Sequence, residues 1–105
     1  MKTLSATLVH VRVSAISLVE TVYLVERRRL PLTALERLRS ALAGPSSGML
    51  IAPVDAGVAD ALPNIPRDVV PDIPDRIIAA TALHLGLPLV TRDRRLQAAG
   101  IQTIW

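Results

Sequence analysis

At 105 residues, half of them hydrophobic and none cysteine, the chain has apolar material for one folded core and no route to disulfides or thiolate metal sites. That hydrophobicity excludes intrinsic disorder, which needs a polar and highly charged composition. The net charge is +3 and all but one of the twelve basic residues are arginine, a balance compatible with a polyanionic partner because guanidinium pairs bidentately with phosphate, although GC-rich coding would enrich arginine equally.

Phenylalanine is absent, and Tyr and Trp occur once each. Leu, Ile, Val and Ala must therefore build the core, which suits helices packed on a buried sheet. Met1 and Lys2 before an apolar stretch have the outline of a signal peptide, but His10 and Arg12 interrupt that stretch and argue against one. The longest apolar run, Ile77 to Val90, is broken by Thr81, His84, Gly86 and Pro88. It falls short of the roughly 20 apolar residues a membrane helix requires.

In chain order, Leu8 to Ile16 alternates loosely and is Val-rich, which predicts a strand. Ser17 and Glu20 have capping-box spacing, so a helix is expected from there to about Arg29, with Leu30-Pro31 stopping it. Thr33 and Glu36 repeat the spacing and open a second helix, closed near Gly44. After the turn Pro45 to Gly48, Met49 to Val54 predicts a buried strand. Asp55 can cap a short helix through about Leu62. Pro66, Pro71 and Pro74 make 64–74 a constrained loop. A helix from about Pro74 to Leu85, apolar nearly all round, should be buried on more than one side. Gly86 ends it, Leu89 to Thr91 is a strand, Arg94 to Ala99 a short helix, and Ile101 to Trp105 the last strand. No composition shift divides the chain, so a single domain over 1–105 is expected. Strands alternating with helices predict an α/β fold with a mostly parallel sheet.

In such sheets ligands gather beyond the carboxyl ends of the strands. Three acids fall there: Glu20 in the first turn after the first strand, Asp75 opening the buried helix, and Asp93 after the strand ending at Thr91. Clustered carboxylates suit hard cations such as Mg²⁺ and Mn²⁺. Each acid has a second reading. Glu20 can close a capping box, Asp75 can complement a helix dipole, and Asp93 can be an N-cap. Local spacing does not separate ligand from cap.

The order of three segments adds to this. Val13-Ser-Ala-Ile-Ser-Leu-Val-Glu20, Ile65-Pro-Arg-Asp-Val-Val-Pro-Asp-Ile-Pro-Asp-Arg-Ile-Ile-Ala-Ala-Thr-Ala82 and Gly86-Leu-Pro-Leu-Val-Thr-Arg-Asp93 together resemble a PIN domain of the kind found in VapC-type toxins of toxin–antitoxin pairs. The resemblance runs from about Val13 to the closing Ile-Trp. It implies a three-layer α/β/α fold and a Mg²⁺- or Mn²⁺-dependent endoribonuclease, cytoplasmic, homodimeric and inhibited by an antitoxin protein. Glu20, Asp75 and Asp93 match the family acids that hold metal and position the attacking water. Thr91 stands where a small hydroxyl residue orients them, and Asp72 is a spare acid or a cap. The family pattern starts with a strand bearing a further metal-binding Asp, whereas no Asp or Glu precedes Glu20 here. The resemblance thus implies an N-terminally truncated PIN-like domain, in which a binding module without catalysis is the alternative to an enzyme.

Arg76, Arg92, Arg94 and Arg95 crowd the sequence around Asp75 and Asp93, where they could hold RNA phosphates or simply form a solvated face. Arg27-Arg28-Arg29 falls at a helix C-terminus, where the dipole favours cations. His84 reads as a capping or packing residue rather than a base. Tyr23 and Trp105 have no aromatic neighbours in sequence, which argues against a base-stacking platform.

Overall fold

A computed structural model describes residues 11–44, 47–91 and 93–104, and its chain forms two compact units, Met1–Ala52 and Pro53–Trp105. Both are mixed α/β with parallel strand pairs, compatible with the α/β/α fold that the resemblance implies. The start of the first expected strand, the turn residues Pro45 and Ser46, Arg92 and Trp105 lie outside the described residues.

In the first unit, β1 (Val11–Ser14) pairs parallel with β2 (Met49–Ala52), Val11 opposite Met49 and Ser14 opposite Ala52. Between them run α1 (Ala15–Glu26) and α2 (Leu32–Ala43). Ser14 both ends the ladder and starts the helix: its backbone is extended and its hydroxyl accepts from the Ile16 N–H at 3.3 Å. An N-cap needs that extended conformation, so the cap falls three residues before the expected Ser17. Ser17 is inside α1, where its carbonyl accepts from the Thr21 hydroxyl at 2.8 Å. Glu20 consequently sits in the second turn, and no capping box forms.

A similar correction applies to α2. It opens directly after Pro31, which has no side-chain cap, so Thr33 and Glu36 lie within the helix. Proline's fixed φ suits the extended N-cap conformation, but its side chain has no acceptor to offer the free N–H groups of the first turn. Gly44 ends α2 where expected. Among the described residues burial here is sparse: α1 has no fully buried residue, α2 has Leu35, and the strands contribute Ser14 and Ala52.

The second unit is better filled. Asp55 caps α3 (Ala56–Ala61) by accepting from the Val58 N–H at 3.1 Å, as its sequence position predicts. A 3-10 turn, Leu62–Asn64, follows. The proline-rich loop then carries the two largest fully buried side chains, Ile65 and Val70. It leads into α4 (Ile73–Leu85), β3 (Leu89–Val90), α5 (Arg94–Ala98) and β4 (Thr103–Ile104), with β3 and β4 parallel. Val58, Ile65, Val70, Ala79, Ala80 and Leu96 form one buried cluster, with Leu62, Ile77, Leu89 and Ile101 packed on it.

Four consecutive residues of α4, Ala79 to Ala82, are buried. Successive helical residues point about 100° apart, so this turn is enclosed on every side, as the all-round apolar pattern predicts. Small side chains permit that enclosure. Near the C-terminal end of α4, His84 lies over Gly57 of α3 so closely that a Cβ at Gly57 would overlap its ring. The imidazole Nε2 is 3.9 Å from Asp55 Oδ1, which makes His84 a packing and pairing residue.

Candidate metal centre

The fold places Asp72, Asp75 and Asp93 in one neighbourhood of the second unit. Asp72 occupies the N-cap position of α4, although its side chain makes no cap hydrogen bond, and Asp75 lies in the first turn. Asp93 follows β3 and caps α5, its Oδ1 accepting from the Arg95 N–H at 2.9 Å. The Thr91 hydroxyl accepts from the Asp93 N–H at 3.0 Å, and Gln97 Nε2 donates to the Thr91 carbonyl at 3.2 Å. This short network fixes the backbone on which the Asp93 carboxylate stands.

Arg95 joins the two acids. Its Nη2 lies 3.4 Å from Asp93 Oδ2 and 4.0 Å from Asp75 Oδ2, so one guanidinium nitrogen faces both carboxylates. Their protonation is pushed in opposite directions. Partial burial, then the charges of Asp72 and Asp93, raise the pKa of Asp75 against a smaller lowering by Arg95. Hydrogen bonds from the Arg95 side chain and backbone lower that of Asp93. Asp75 is thus a carboxylate short of positive charge, and Asp93 one already supplied with it.

Carboxylate oxygens are the donors that hard divalent ions prefer. Among the described residues no group of three or more Asp, Glu, His or Cys is close enough to hold a metal together. Mg²⁺, however, usually keeps several waters and takes only one or two carboxylates plus substrate phosphates. Asp75 and Asp93, which both face the Arg95 Nη2, are a carboxylate pair of the size such an ion would need. Glu20 belongs to the first unit, on α1.

The expected arginines divide. Arg76 is a clamp: its Nε and Nη2 donate to the Ile65 carbonyl at 3.2 and 3.0 Å, and Nη2 also donates to the Leu62 carbonyl at 3.0 Å. That guanidinium is committed to the loop's backbone and has little left for phosphate. Arg94 is exposed at the start of α5, Arg95 is held by the acids, and Arg92 is outside the described residues. Arg95's position between two carboxylates had one sequence signal, a basic residue two positions past an N-cap. Arg76's partners are backbone carbonyls 11 and 14 residues away, and carbonyls leave no mark in a sequence.

No curated protein and no solved structure matches the chain significantly. The family model described as PIN domain matches residues 2–102, a span that takes in Glu20, the Asp75 helix and the Asp93 turn alike. By that match, nearly end to end, the chain belongs to the PIN domain family, whose members are generally nucleases that use divalent metal ions.

Proposed function

We propose that this chain is one PIN-like domain over 1–105 and acts as a VapC-type endoribonuclease, hydrolysing RNA phosphodiester bonds with Mg²⁺ or Mn²⁺ held by Asp75, Asp93 and Glu20. The observation that carries the reading is the convergence of Asp75 and Asp93 on one cationic nitrogen, at the strand end and helix start where an α/β fold collects its ligands. A bound divalent ion would activate water and neutralise charge on the scissile phosphate. The chain's own contribution is positional. Thr91 holds the Asp93 backbone by the 3.0 Å hydrogen bond, and the first turn of α4 presents Asp75. Asp72 adds negative charge beside Asp75, which raises the site's appetite for a cation. Exposed Arg94 and, on release from the acids, Arg95 are the phosphate contacts of this reading; Arg92 is a third.

A cytoplasmic homodimer restrained by an antitoxin protein completes the proposal. It is in keeping with the described residues, where no helix is long and apolar enough to cross a membrane. The test is cleavage of varied RNAs with Mn²⁺ by the parent chain and by Glu20→Gln, Asp75→Asn and Asp93→Asn. Cleavage by the parent that all three substitutions reduce about a hundredfold or more, at least the upper end of the roughly 10–100-fold that losing even an outer-shell partner costs, supports the assignment. No cleavage of any RNA with either ion overturns it. A second reading draws on Arg95, whose own charge already lies against the Asp75 and Asp93 carboxylates. In that reading the chain is a binding module, and antitoxin binding survives alanine at all three acids while RNA stays intact.

A further inference from the structure

The C-terminal turn of α1 carries Arg27, Arg28 and Arg29 in succession, all exposed. Arg27 Nη1 donates to the Tyr23 hydroxyl at 2.7 Å, and its guanidinium carbon lies 5.6 Å from the Tyr23 ring centroid. Tyr23, Leu24, Arg27 and Arg29 line a shallow depression there. Among the described residues, none of the three guanidiniums has an ion pair with a carboxylate. Glu26, their sequence neighbour, is not paired with any of them.

The helix dipole alone does not account for this. It favours cations at a C-terminus by about 0.3–1 kcal/mol, which asks for neither three arginines nor an arginine at the most constrained position. Arg28 has φ of +57°. The turn is a two-bond helix stop, with Arg29 N–H donating to the Leu24 carbonyl at 2.8 Å and Arg28 N–H to the Val25 carbonyl at 3.0 Å. Glycine normally fills that left-handed position. A residue with a Cβ costs about 1–2 kcal/mol there. A charge kept at the cost of backbone strain points to a use for the charge.

We propose that the Arg27–Arg28–Arg29 turn, with Tyr23, is a docking site for the phosphate backbone of single-stranded RNA. This rests on the reading above that RNA is the substrate. Arg27 and Arg29 flank the depression as two cationic walls. Arg28, exposed at the left-handed position between them, adds a third contact along the strand.

The strain makes the test clean, because Arg28→Gly removes the charge while relieving the backbone. A fluorescein-labelled short single-stranded RNA is titrated with the full chain in EDTA at several KCl concentrations, beside thermal melts. Arg28→Gly is expected to melt at or above the parent's temperature yet bind RNA about fivefold more weakly at 0.1 M salt, its salt slope smaller by about 0.7. Arg27→Gln/Arg29→Gln should lose about twice that slope. Variants that bind with the parent's affinity and slope overturn the docking site alone, and RNA cleavage by the parent would stand untouched. A parent chain that binds no RNA overturns the docking site and the substrate reading together.

Discussion

Helices α1 and α4 are nearly matched in length, 12 and 13 residues, and both end in the same two-bond stop. Yet no residue of α1 is fully buried, most being half-buried, while α4 fully buries four residues in a row. Of the two, α1 is the more apolar by sequence. Hydrophobicity therefore does not decide burial here. In α4, small residues let neighbours close in. The Ala79–Ala82 turn admits the loop residues Ile65 and Val70, whereas α1 leaves Val19 and Tyr23 more than half exposed.

The sharpest way to break that contrast is to truncate one side chain in each unit. Ile65→Ala should cost about 2–5 kcal/mol, the range for a fully buried aliphatic residue, and Val19→Ala no more than about 0.5 kcal/mol, both read by urea denaturation. Equal losses would mean the two units are filled alike. Next in size is Arg76. Its charged hydrogen bonds tie Ile65 and Leu62 to α4, so Arg76→Ala should lose about 2 kcal/mol. Arg76→Lys should recover little of it, because a point charge cannot reproduce the fork.

The helix stops give a smaller and opposite pair. Arg28→Gly should gain about 1 kcal/mol by relieving the left-handed arginine, and Gly86→Ala, at φ of +67°, should lose about the same. Thermal melts of the two variants sharpen the comparison directly. A loss in Arg28→Gly would show that the arginine side chain stabilises α1 by more than its backbone strain costs.

The smallest effects concern protons. A carboxyl NMR titration should place the Asp75 midpoint above 3.8 and that of Asp93 below it. For Asp93 the folded pKa lies below the unfolded one, so its contribution is present at neutral pH and is lost as pH falls through the lowered folded value. Asp75 has the reverse sign. Its folded pKa is raised, so the folded state is favoured below the ordinary value and disfavoured as pH climbs through the raised one. Asp75→Asn should consequently stabilise the metal-free chain slightly at neutral pH. Destabilisation would contradict the partial burial of Asp75 and its crowding by Asp72 and Asp93.

Much of this architecture was legible in the residues. The caps Asp55 and Asp93 and the stops at Gly44 and Gly86 stood where local rules place them, because a cap is a contact within three or four residues. The start of α2 was set locally, by Pro31. That of α1 was not: the cap falls at Ser14, where the ladder with a strand 38 residues away ends at Ser14–Ala52. What could not be read was long-range. The burial of Ile65 and Val70 in a loop, the Arg76 clamp and the need for a bare Cα at Gly57 under His84 all depend on partners that sequence spacing does not encode. Of the expected acids, Asp75 and Asp93 are brought to one guanidinium, and Arg95's place between them had a single local signal.

The central claim, that Asp75 and Asp93 share a cation, is tested most directly by Mn²⁺ calorimetry on the parent chain, Asp75→Ala, Asp93→Ala and Arg95→Ala. Binding by the parent, abolished by either aspartate substitution and tightened about three- to tenfold by Arg95→Ala as the competing charge is removed, is the predicted result. A parent that binds no Mn²⁺, or that binds it as well without either aspartate, would contradict the site.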